Sequence, residues 1–391
     1  MELIYLDNNA TTRPADEVSA AVAEAHERYW ANPSSVHRFG QAVRGRVDLA
    51  RAEVAGLIGA RDRELTMTSG ATEANNLALR GVLAVRDTER RPRKTVVVSP
   101  LEHSAIREPA EQLEREGYEV VRLEVDGDGV VEVEGLRGVL AERGAGVALV
   151  SVHWANNETG VIQPIEALGA ACGEAKVPFH SDATQAVGKL PVDVGGLPVD
   201  AISLSAHKFH GPRGIGALWS RSTLRFRPQV LGGPQERERR GGTENVPAII
   251  GAGVAAELAG AWVGGGGPGE VERLRDRFEG AVLSRVEGAV VNGGGADRLV
   301  NTTNIGFPPL EAEALLVLLS EWGVCASAGA ACSSGSLEPS PVLRAMGVAE
   351  PVAHGSVRFS LSRETTEAEV DRAAELVVEA VGRLRRSMPV G

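Results

Sequence analysis

The segment SLSAHKFHGPRG (203–214) places a single lysine, Lys208, between two histidines. A lysine amine can lose its proton and form a Schiff base with an aldehyde, whereas a guanidinium stays charged in any ordinary site. The chain has 41 basic residues, and 37 are arginines because only four are lysines, namely Lys94, Lys176, Lys189 and Lys208. Lys208 is therefore a candidate for covalent catalysis, and the alternative is that a lysine falls here by chance.

A second polar segment, HSDATQAVG (180–188), places Asp182 after a predicted buried strand and 26 residues before Lys208. A buried carboxylate needs a partner, and the protonated nitrogen of a pyridine ring would serve. Pyridoxal phosphate sites use a lysine for the aldehyde and an aspartate for the ring nitrogen, so that the ring withdraws electrons from the substrate Cα. In such a site Gln185 could hydrogen-bond the ring hydroxyl, and Ser205 and His207 could reach the phosphate.

Three further polar clusters follow predicted strands, where open α/β sheets bind ligands. In TSGATEANN, the helix N-terminus at Gly70, Ala71 and Thr72 could hold a phosphate, or Thr72 could simply cap the helix. His103 in LEHSA could be functional or an ordinary surface or core histidine. Asn157 in NNETGVIQP could donate to a ligand oxygen or merely favour a turn.

The elements that must position these residues alternate between short strands and longer helices. This alternation predicts a mostly parallel sheet covered by helices on both faces. The strands are expected at 93–100, 146–155, 178–183, 200–208 and 214–220, with helices at 105–119 and 165–177.

A change of pattern near residue 264 predicts two domains, as the length of 391 residues also suggests. The run GGGGPG (264–269) is the best linker signal, because five glycines and a proline fit neither the helical nor the strand periodicity. Beyond it, helices at 270–286, 310–323 and 365–387 and a strand at 356–363 indicate a smaller α+β domain. The prediction is a large domain over 12–262 and a small domain formed by 1–11 and 270–391.

The bulk composition excludes several classes of protein. A net charge of −11 and a pI near 5.4 argue against nucleic acid as a partner. The N-terminus lacks a signal-peptide pattern and no apolar run reaches the roughly 18 residues of a membrane helix, so we expect a cytoplasmic location. Three cysteines without a C-x-x-C pair indicate free thiols and no metal site.

The polar segments, taken together and in order, resemble the cysteine desulfurases of the NifS/IscS kind, within the class V aminotransferase group. The resemblance runs from about residue 5 to residue 371 and is highly specific because many motifs occur in family order. It implies the fold type I of pyridoxal phosphate (PLP) dependent transferases, with a mostly parallel seven-stranded sheet. The matching segments are YLDNNATT, NPSSVHRFG, TSGATEANN, LEHSA, NNETGVIQP, HSDATQAVGKLPVD, SLSAHKFHGPRGIGAL, RRGGTENV, CSSGSLEPS and SVRFSLSRETTEAEVD.

The resemblance also implies a role for each matching residue. Lys208 matches the lysine that bonds the cofactor and moves the substrate proton, and Asp182 matches the partner of the ring nitrogen. His103 matches the imidazole stacked on the ring, and it is also a candidate catalytic residue, as a base that could help to form the attacking thiolate. Arg358 matches the arginine that holds the substrate carboxylate. The remaining matches are Gln185 and Asn157 around the ring hydroxyl and substrate, Ala71, Thr72, Ser205 and His207 around the phosphate, and Thr243 as a phosphate contact from the partner subunit.

The cysteines separate desulfurases from their relatives. Cys332 lies in CASAGAACSSGSLEPS (325–340), a run of small residues that cannot pack a core and should form a mobile surface loop. The resemblance implies that its thiol accepts the substrate sulfur, and that the loop is of the long IscS/NifS type. Cys172 and Cys325 are expected to be buried, small apolar residues.

The resemblance implies a homodimer that converts L-cysteine to L-alanine and forms a persulfide on Cys332. This persulfide would pass sulfur to an acceptor protein, and Cys332 could contact an iron–sulfur cluster transiently through it. IscS-type enzymes often continue into a tail that docks an iron–sulfur scaffold protein, whereas this chain ends at Gly391. The sequence therefore does not choose the sulfur acceptor. The candidates are an iron–sulfur scaffold, a tRNA-thiolation protein, DNA-phosphorothioation machinery or another pathway. The alternatives are a selenocysteine lyase, another class V aminotransferase, or a non-enzymatic sulfur carrier with a vestigial site.

Overall fold

A computed structural model of the chain describes residues 3–328 and 339–387. Its strands are short, and most are buried along their whole length. They are β1 Ile4–Tyr5, β2 Leu65–Thr68, β3 Thr95–Val98, β4 Glu119–Arg122, β5 Val147–Ser151, β6 Phe179–Asp182, β7 Ala201–Ser205, β8 Gly216–Ser220, β9 Val290–Val291, β10 Thr302–Gly306, β11 Val324–Cys325 and β12 Ser356–Ser360.

The helices range from single turns to 21 residues. They are α1 Asp16–Arg28, α2 Arg38–Gly56, α3 Ala71–Arg86, α4 Ser104–Arg115, α5 Val133–Arg143, α6 Ile165–Ala175, α7 Gln235–Glu238, α8 Val246–Gly264, α9 Gly267–Leu283, α10 Ala312–Glu321, α11 Pro341–Ala345, α12 Glu350–His354 and α13 Glu367–Ser387. Two short 3-10 turns complete the set, at Asp62–Glu64 and Ala206–Lys208.

Seven strands form the central sheet in the order β2-β8-β7-β6-β5-β3-β4. The pairs from β7 to β4 are parallel, and β8 runs antiparallel to both β2 and β7. The prediction of a mostly parallel seven-stranded sheet is thereby confirmed. Two smaller sheets lie beside it, with the orders β12-β10-β9 and β1-β11.

Helices cover both faces of the central sheet, which explains why its strands read as continuous apolar runs. In β3, Val97 packs into the cluster that contains residues of α1, α2 and α8, whereas Val96 and Val98 pack against α3 and α4. Successive side chains of a strand point to opposite faces of the sheet, so the side chains on both faces of β3 are buried.

A separate apolar cluster unites the two ends of the chain. Ile4 and Leu6 pack with side chains from α9, α10 and α13 and from β10 and β12. The predicted domain limits, 12–262 and 1–11 with 270–391, stay a prediction.

Two boundaries of the sequence-based prediction are wrong. Helix α4 ends at Arg115 rather than near residue 119, because Gly117 adopts a left-handed conformation with φ of 89° and the edge strand β4 begins at Glu119. The expected linker 264–269 is only a two-residue turn between α8 and α9. Helix α9 starts at Gly267 because Pro268 is tolerated in the first turn of a helix.

Helix α8 is long and apolar enough to cross a membrane, which the sequence pattern did not lead us to expect. Its mean hydropathy is 1.6, and 56% of its most apolar stretch is buried inside the fold. The helix packs against α1 and α2 as part of the core. Core helices of folded proteins can have the same length and composition, so this one helix is weak evidence for a membrane span.

Candidate active site

A cavity of about 760 Å³ opens at the carboxyl ends of the parallel strands. Because these ends meet at one edge of the sheet, residues that follow different strands come together there. Eleven of the twelve described residues with a predicted site role line this cavity, namely Gly70, Ala71, Thr72, His103, Asn157, Asp182, Gln185, Ser205, His207, Lys208 and Arg358.

Lys208 lies in the 3-10 turn that follows β7 and is half-buried in the cavity wall. Its Nζ donates hydrogen bonds to the backbone carbonyls of Asn9 at 2.5 Å and Ala10 at 2.9 Å. The amine is thus held against the N-terminal segment and faces the space where a ligand would lie.

Asp182, the last residue of β6, presents a buried carboxylate to the cavity. Its Oδ2 accepts a hydrogen bond from Asn75 Nδ2 at 2.7 Å, and its Oδ1 accepts one from the Thr184 amide at 3.0 Å. Both donors are neutral, and no ion pair to Asp182 occurs among residues 3–328 and 339–387. The site therefore suits a ligand that brings its own positive charge, as a protonated pyridine nitrogen does.

The N-terminus of α3 forms one end of the cavity. The cap position is Gly70, which has no side chain to accept from the first amides, so the alternative in which Thr72 caps the helix is wrong. Free amides and the positive end of a 16-residue helix favour an anion there. The side chain of Ser205 lies opposite, since a Cβ on Gly70 would be 3.8 Å from Ser205 Oγ.

His207 completes this end of the cavity as a neutral ring. Burial, reinforced by the charge of Lys208, lowers the pKa of His207 to about 4. Its Nδ1 lies 3.1 Å from Thr11 Oγ1, a contact that either tautomer can make. At neutral pH the ring can therefore offer an anion a hydrogen bond but no positive charge.

His103 caps helix α4, with Nδ1 accepting a hydrogen bond from the Ala105 amide at 3.1 Å. The ring is exposed to the open cavity, yet the surrounding protein removes water and lowers the pKa of His103. The charge of Lys208 acts in the same direction, whereas Asp182 opposes it. The ring is thus held neutral with its basic nitrogen already engaged, which favours a stacking role over a role as base.

Arg358 brings a buried guanidinium into the cavity from β12, in the three-stranded sheet. Its Nη1 donates to the Asn157 carbonyl at 2.9 Å, and its Nη2 donates to Asp7 Oδ1 at 2.5 Å. These contacts fix the plane of the guanidinium, whose fork geometry suits a bidentate carboxylate.

The cysteines differ in what the structure shows of them. Cys332 lies outside the described residues. Cys172 is buried in α6, and burial raises the pKa of its thiol to about 12, so it stays protonated. Cys325 pairs with Tyr5 between β11 and β1 and is only partly buried, contrary to the expectation of full burial. Burial and then the Asp7 carboxylate raise the pKa of its thiol.

Thr243 is exposed and does not line the cavity. Its expected contact with a phosphate in the partner subunit stays a prediction.

The sequence reading missed three polar residues of this site. Asn75 holds Asp182, Asn9 holds Lys208, and Lys189 contacts Asn9 and Gln185. Only Asn75 had a signal in the sequence, because it lies on the buried, otherwise apolar face of α3, where an amide needs a partner.

Comparison with known proteins identifies the family. The aminotransferase class-V family matches residues 4–373. A cysteine desulfurase of Cereibacter sphaeroides is 48% identical over 100% of this chain and 99% of its own length. Cysteine desulfurase 2 of Trichormus variabilis is 47% identical over 100% of this chain and 96% of its own length.

Solved structures agree with the sequence relatives. A NifS-like protein superposes with a TM-score of 0.90 at 35% identity, covering 97% of this chain and 100% of its own. SspA in complex with cysteine superposes with a TM-score of 0.81 at 32% identity, covering 93% of this chain and 99% of its own. The chain therefore belongs to the aminotransferase class-V family, and within it to the cysteine desulfurases of the NifS kind.

Proposed function

We propose that this enzyme converts L-cysteine to L-alanine and transfers the sulfur atom to the thiol of Cys332, which becomes a persulfide. The observation that carries the proposal is the meeting of an amine, a carboxylate and a guanidinium in one cavity, supplied by Lys208, Asp182 and Arg358. The relatives named as cysteine desulfurases, and the related SspA structure with cysteine, support the same substrate.

The cavity fits pyridoxal phosphate as the cofactor. The buried carboxylate of Asp182 has only neutral donors and would pair with the ring nitrogen. The N-terminus of α3 would hold the phosphate together with Ser205 and His207, and the His103 ring would stack on the cofactor. When bound, this cofactor withdraws electrons from the substrate Cα and makes its proton acidic.

The protein side chains supply the remaining steps. Arg358 binds the substrate carboxylate and orients the amino acid. Lys208 Nζ takes the Cα proton. The Cys332 thiolate attacks the substrate sulfur, so that the carbon–sulfur bond breaks and a sulfur–sulfur bond forms. The overall balance is one cysteine and one thiol in, one alanine and one persulfide out.

Three single cysteine variants test this division of roles. Cys332→Ala should retain bound cofactor and its colour but release almost no alanine and carry no persulfide. Cys172→Ala and Cys325→Ala are the matched controls and should stay active, with a packing loss of about 1 kcal/mol. Steady-state alanine release and persulfide labelling check this. Near-normal turnover of L-cysteine by Cys332→Ala would contradict the proposal and favour the alternative that the enzyme is a selenocysteine lyase.

We further propose that the enzyme is a cytoplasmic homodimer that delivers its sulfur to an acceptor protein, either an iron–sulfur scaffold or a thiolation protein. The acidic surface charge and the conversion of a soluble amino acid support this setting. Copurification with tagged enzyme from native cells, after cysteine is supplied, should retrieve an acceptor that carries sulfur derived from cysteine.

A further inference from the structure

The four lysines of this arginine-rich chain divide into two groups. Lys94 and Lys176 lie on the surface, whereas Lys208 and Lys189 lie at the cavity and beneath it. Only Lys208 has a role in the proposed reaction. Lys189 is buried, with an exposed fraction of 6%, and it occupies a tight turn that follows Asp182 and Gln185.

The surroundings of Lys189 lack the carboxylate that a buried ammonium needs. Its Nζ contacts Asn9 Oδ1 at 2.9 Å and Gln185 Oε1 at 2.5 Å, both neutral oxygens. Within the described part of the chain no carboxylate lies within ion-pair distance of it. The nearby charges, on Lys208 and Arg358, are both positive. Burial of an uncompensated ammonium beside two cations is strongly unfavourable.

The hydrogen-bond count agrees with an uncharged amine. An ammonium carries three donors, whereas a neutral amine carries two, and Lys189 has two acceptors. Burial, followed by the charges of Lys208 and Arg358, lowers the pKa of Lys189 well below its ordinary value. An arginine at this position could not lose its charge, which explains why the chain uses lysine here.

The contacts of Lys189 extend directly to the cavity. By donating to Gln185 Oε1, it sets the orientation of that amide, so that Nε2 points to the Asn9 carbonyl at 2.9 Å. The same carbonyl accepts from Lys208 Nζ. Lys189 therefore fixes the side chain of Asn9 and the amide of Gln185, next to the Asn9 carbonyl that Lys208 contacts.

We propose that Lys189 is a positioning residue of this site, an uncharged buried amine that fixes the Gln185 amide and the Asn9 segment for cofactor binding. It acts through these two residues and does not itself touch the substrate. The inference rests on the proposed function, because Gln185 can contact a cofactor ring only if the cavity binds one.

The charge state of Lys189 can be read without any turnover. Lysine labelled with ¹³C at Cε gives four signals, and Lys94→Arg, Lys176→Arg and Lys208→Ala assign three of them, leaving Lys189 by elimination. In the full-length chain, the Lys189 signal should be that of an uncharged amine at pH 9, where an ordinary lysine is still an ammonium. A signal that remains that of an ammonium until about pH 10, the ordinary lysine range, overturns the inference.

The positioning role is tested by a double-mutant cycle on the dissociation constant of PLP. Lys189→Met and Gln185→Leu should each weaken binding about tenfold, the effect of losing one hydrogen bond. The double variant should weaken binding by less than the product of the two single effects, because both single variants remove the contact between Lys189 and Gln185. Multiplication of the two effects would show that Lys189 does not act through Gln185.

Two further variants separate the outcomes. Lys189→Arg keeps a charge and donors but cannot become neutral, so it should bind PLP as poorly as Lys189→Met, and wild-type binding by it would contradict the inference. Lys94→Met, on the surface, should bind as the wild type does. If the wild-type chain binds no PLP, the proposed function fails, while the ¹³C titration still decides the charge state of Lys189.

Discussion

At the scale of single residues, Arg358 is the residue whose role depends most on geometry. Asp7 and the Asn157 carbonyl hold its guanidinium plane in the cavity. A lysine at this position would supply a point charge but no fork. We expect Arg358→Lys to raise KM for L-cysteine by about tenfold to a hundredfold, since hydrogen bonds to charged groups contribute about 1.5–3 kcal/mol.

Steady-state kinetics and the content of bound PLP check this prediction. PLP content should be unchanged, because the role proposed for Arg358 is to bind the substrate and not the cofactor. Arg107 is the comparison, since it lines the same cavity but pairs with Glu108 near the surface. An Arg107→Lys variant should keep KM near the wild-type value. If KM rises in Arg107→Lys but not in Arg358→Lys, Arg107 and not Arg358 binds the substrate carboxylate.

The residues of the site were predictable to the extent that they follow strands. Asp182 is the last residue of β6 and Lys208 lies in the 3-10 turn that follows β7, so the sheet itself brings them to one edge. Asn9 and Lys189 were not predictable in the same way, because their contact joins positions 180 residues apart. Local sequence patterns contain no information about such a contact, which exists only once the N-terminal segment crosses the strand ends.

At the scale of elements, the turn α7 is held in an unusual conformation. Glu236, Arg237 and Glu238 all have positive φ, at 49°, 57° and 65°, a left-handed conformation that costs about 1–2 kcal/mol per residue. The Glu236 carboxylate accepts from Arg51 Nη1 at 2.7 Å, from Arg51 Nη2 at 2.6 Å and from the Met67 amide at 2.9 Å. This buried ion pair fixes the start of the segment that leads to Thr243.

We expect Glu236→Gln to lower the free energy of unfolding by about 3–5 kcal/mol, because it leaves the buried Arg51 without its counter-charge. Urea denaturation measures the loss. The matched control is Asp62→Asn, which removes the exposed pair of Asp62 with Arg237 from the same turn and should cost less than about 1 kcal/mol. Equal losses in both variants would mean that the buried pair does not hold the turn.

Elements were predicted well where the pattern was long and regular, and poorly at glycines. The five strands expected between residues 93 and 220 and the helices α6 and α13 begin and end within four residues of their expected bounds. The glycine run at 264–269 was misread because glycine weakens a helix without forbidding it, and packing decides the outcome. Strand β4 escaped notice because it is an edge strand of only four residues, none of them buried, and therefore has no apolar run.

At the scale of the whole molecule, buried neutral histidines make stability depend on pH. The pKa values of His180, His207 and His210 are each lowered to about 4, mainly by burial. Unfolded histidines take up a proton near pH 6.5, whereas these rings remain neutral in the folded state until about pH 4. Their contribution to stability is therefore complete above pH 6.5 and is lost progressively as the pH falls towards 4.

His210 allows one contribution to be isolated. Its Nδ1 donates to the Arg13 carbonyl at 2.8 Å, and its φ is 65°. Asparagine tolerates this backbone conformation and keeps a donor. When the pH is lowered from 7.5 to 5, the free energy of unfolding, measured with urea, should fall by about 2 kcal/mol less in His210→Asn than in the wild type. Glu364, 3.6 Å from the ring, is about half exposed and therefore screened by water, and Arg363 lowers the pKa further. Parallel pH curves for the two proteins would contradict this assignment.

The proposed homodimer gives Thr243 a role that a single chain cannot show. Thr243 is exposed and lies outside the cavity of its own chain, as expected of a residue that completes the site of a partner. If it acts across the interface, each active site combines Lys208 of one subunit with the partner subunit's Thr243. Lys208→Ala and Thr243→Ala homodimers should then both be impaired, and mixing them by co-expression should create dimers with one intact site. That site pairs the Lys208 of the Thr243→Ala chain with the Thr243 of the Lys208→Ala chain.

Differently tagged chains allow the mixed dimer to be purified and its alanine release measured. We expect about half of the wild-type activity per dimer, because one of its two sites carries both substitutions and the other carries neither. If Thr243 acts within its own chain, one site lacks Lys208, the other lacks Thr243, and mixing restores nothing. A mixed dimer of Lys208→Ala with the wild type, which keeps one intact site in either case, sets the level for full recovery. Recovery to that level therefore requires a site built from two subunits.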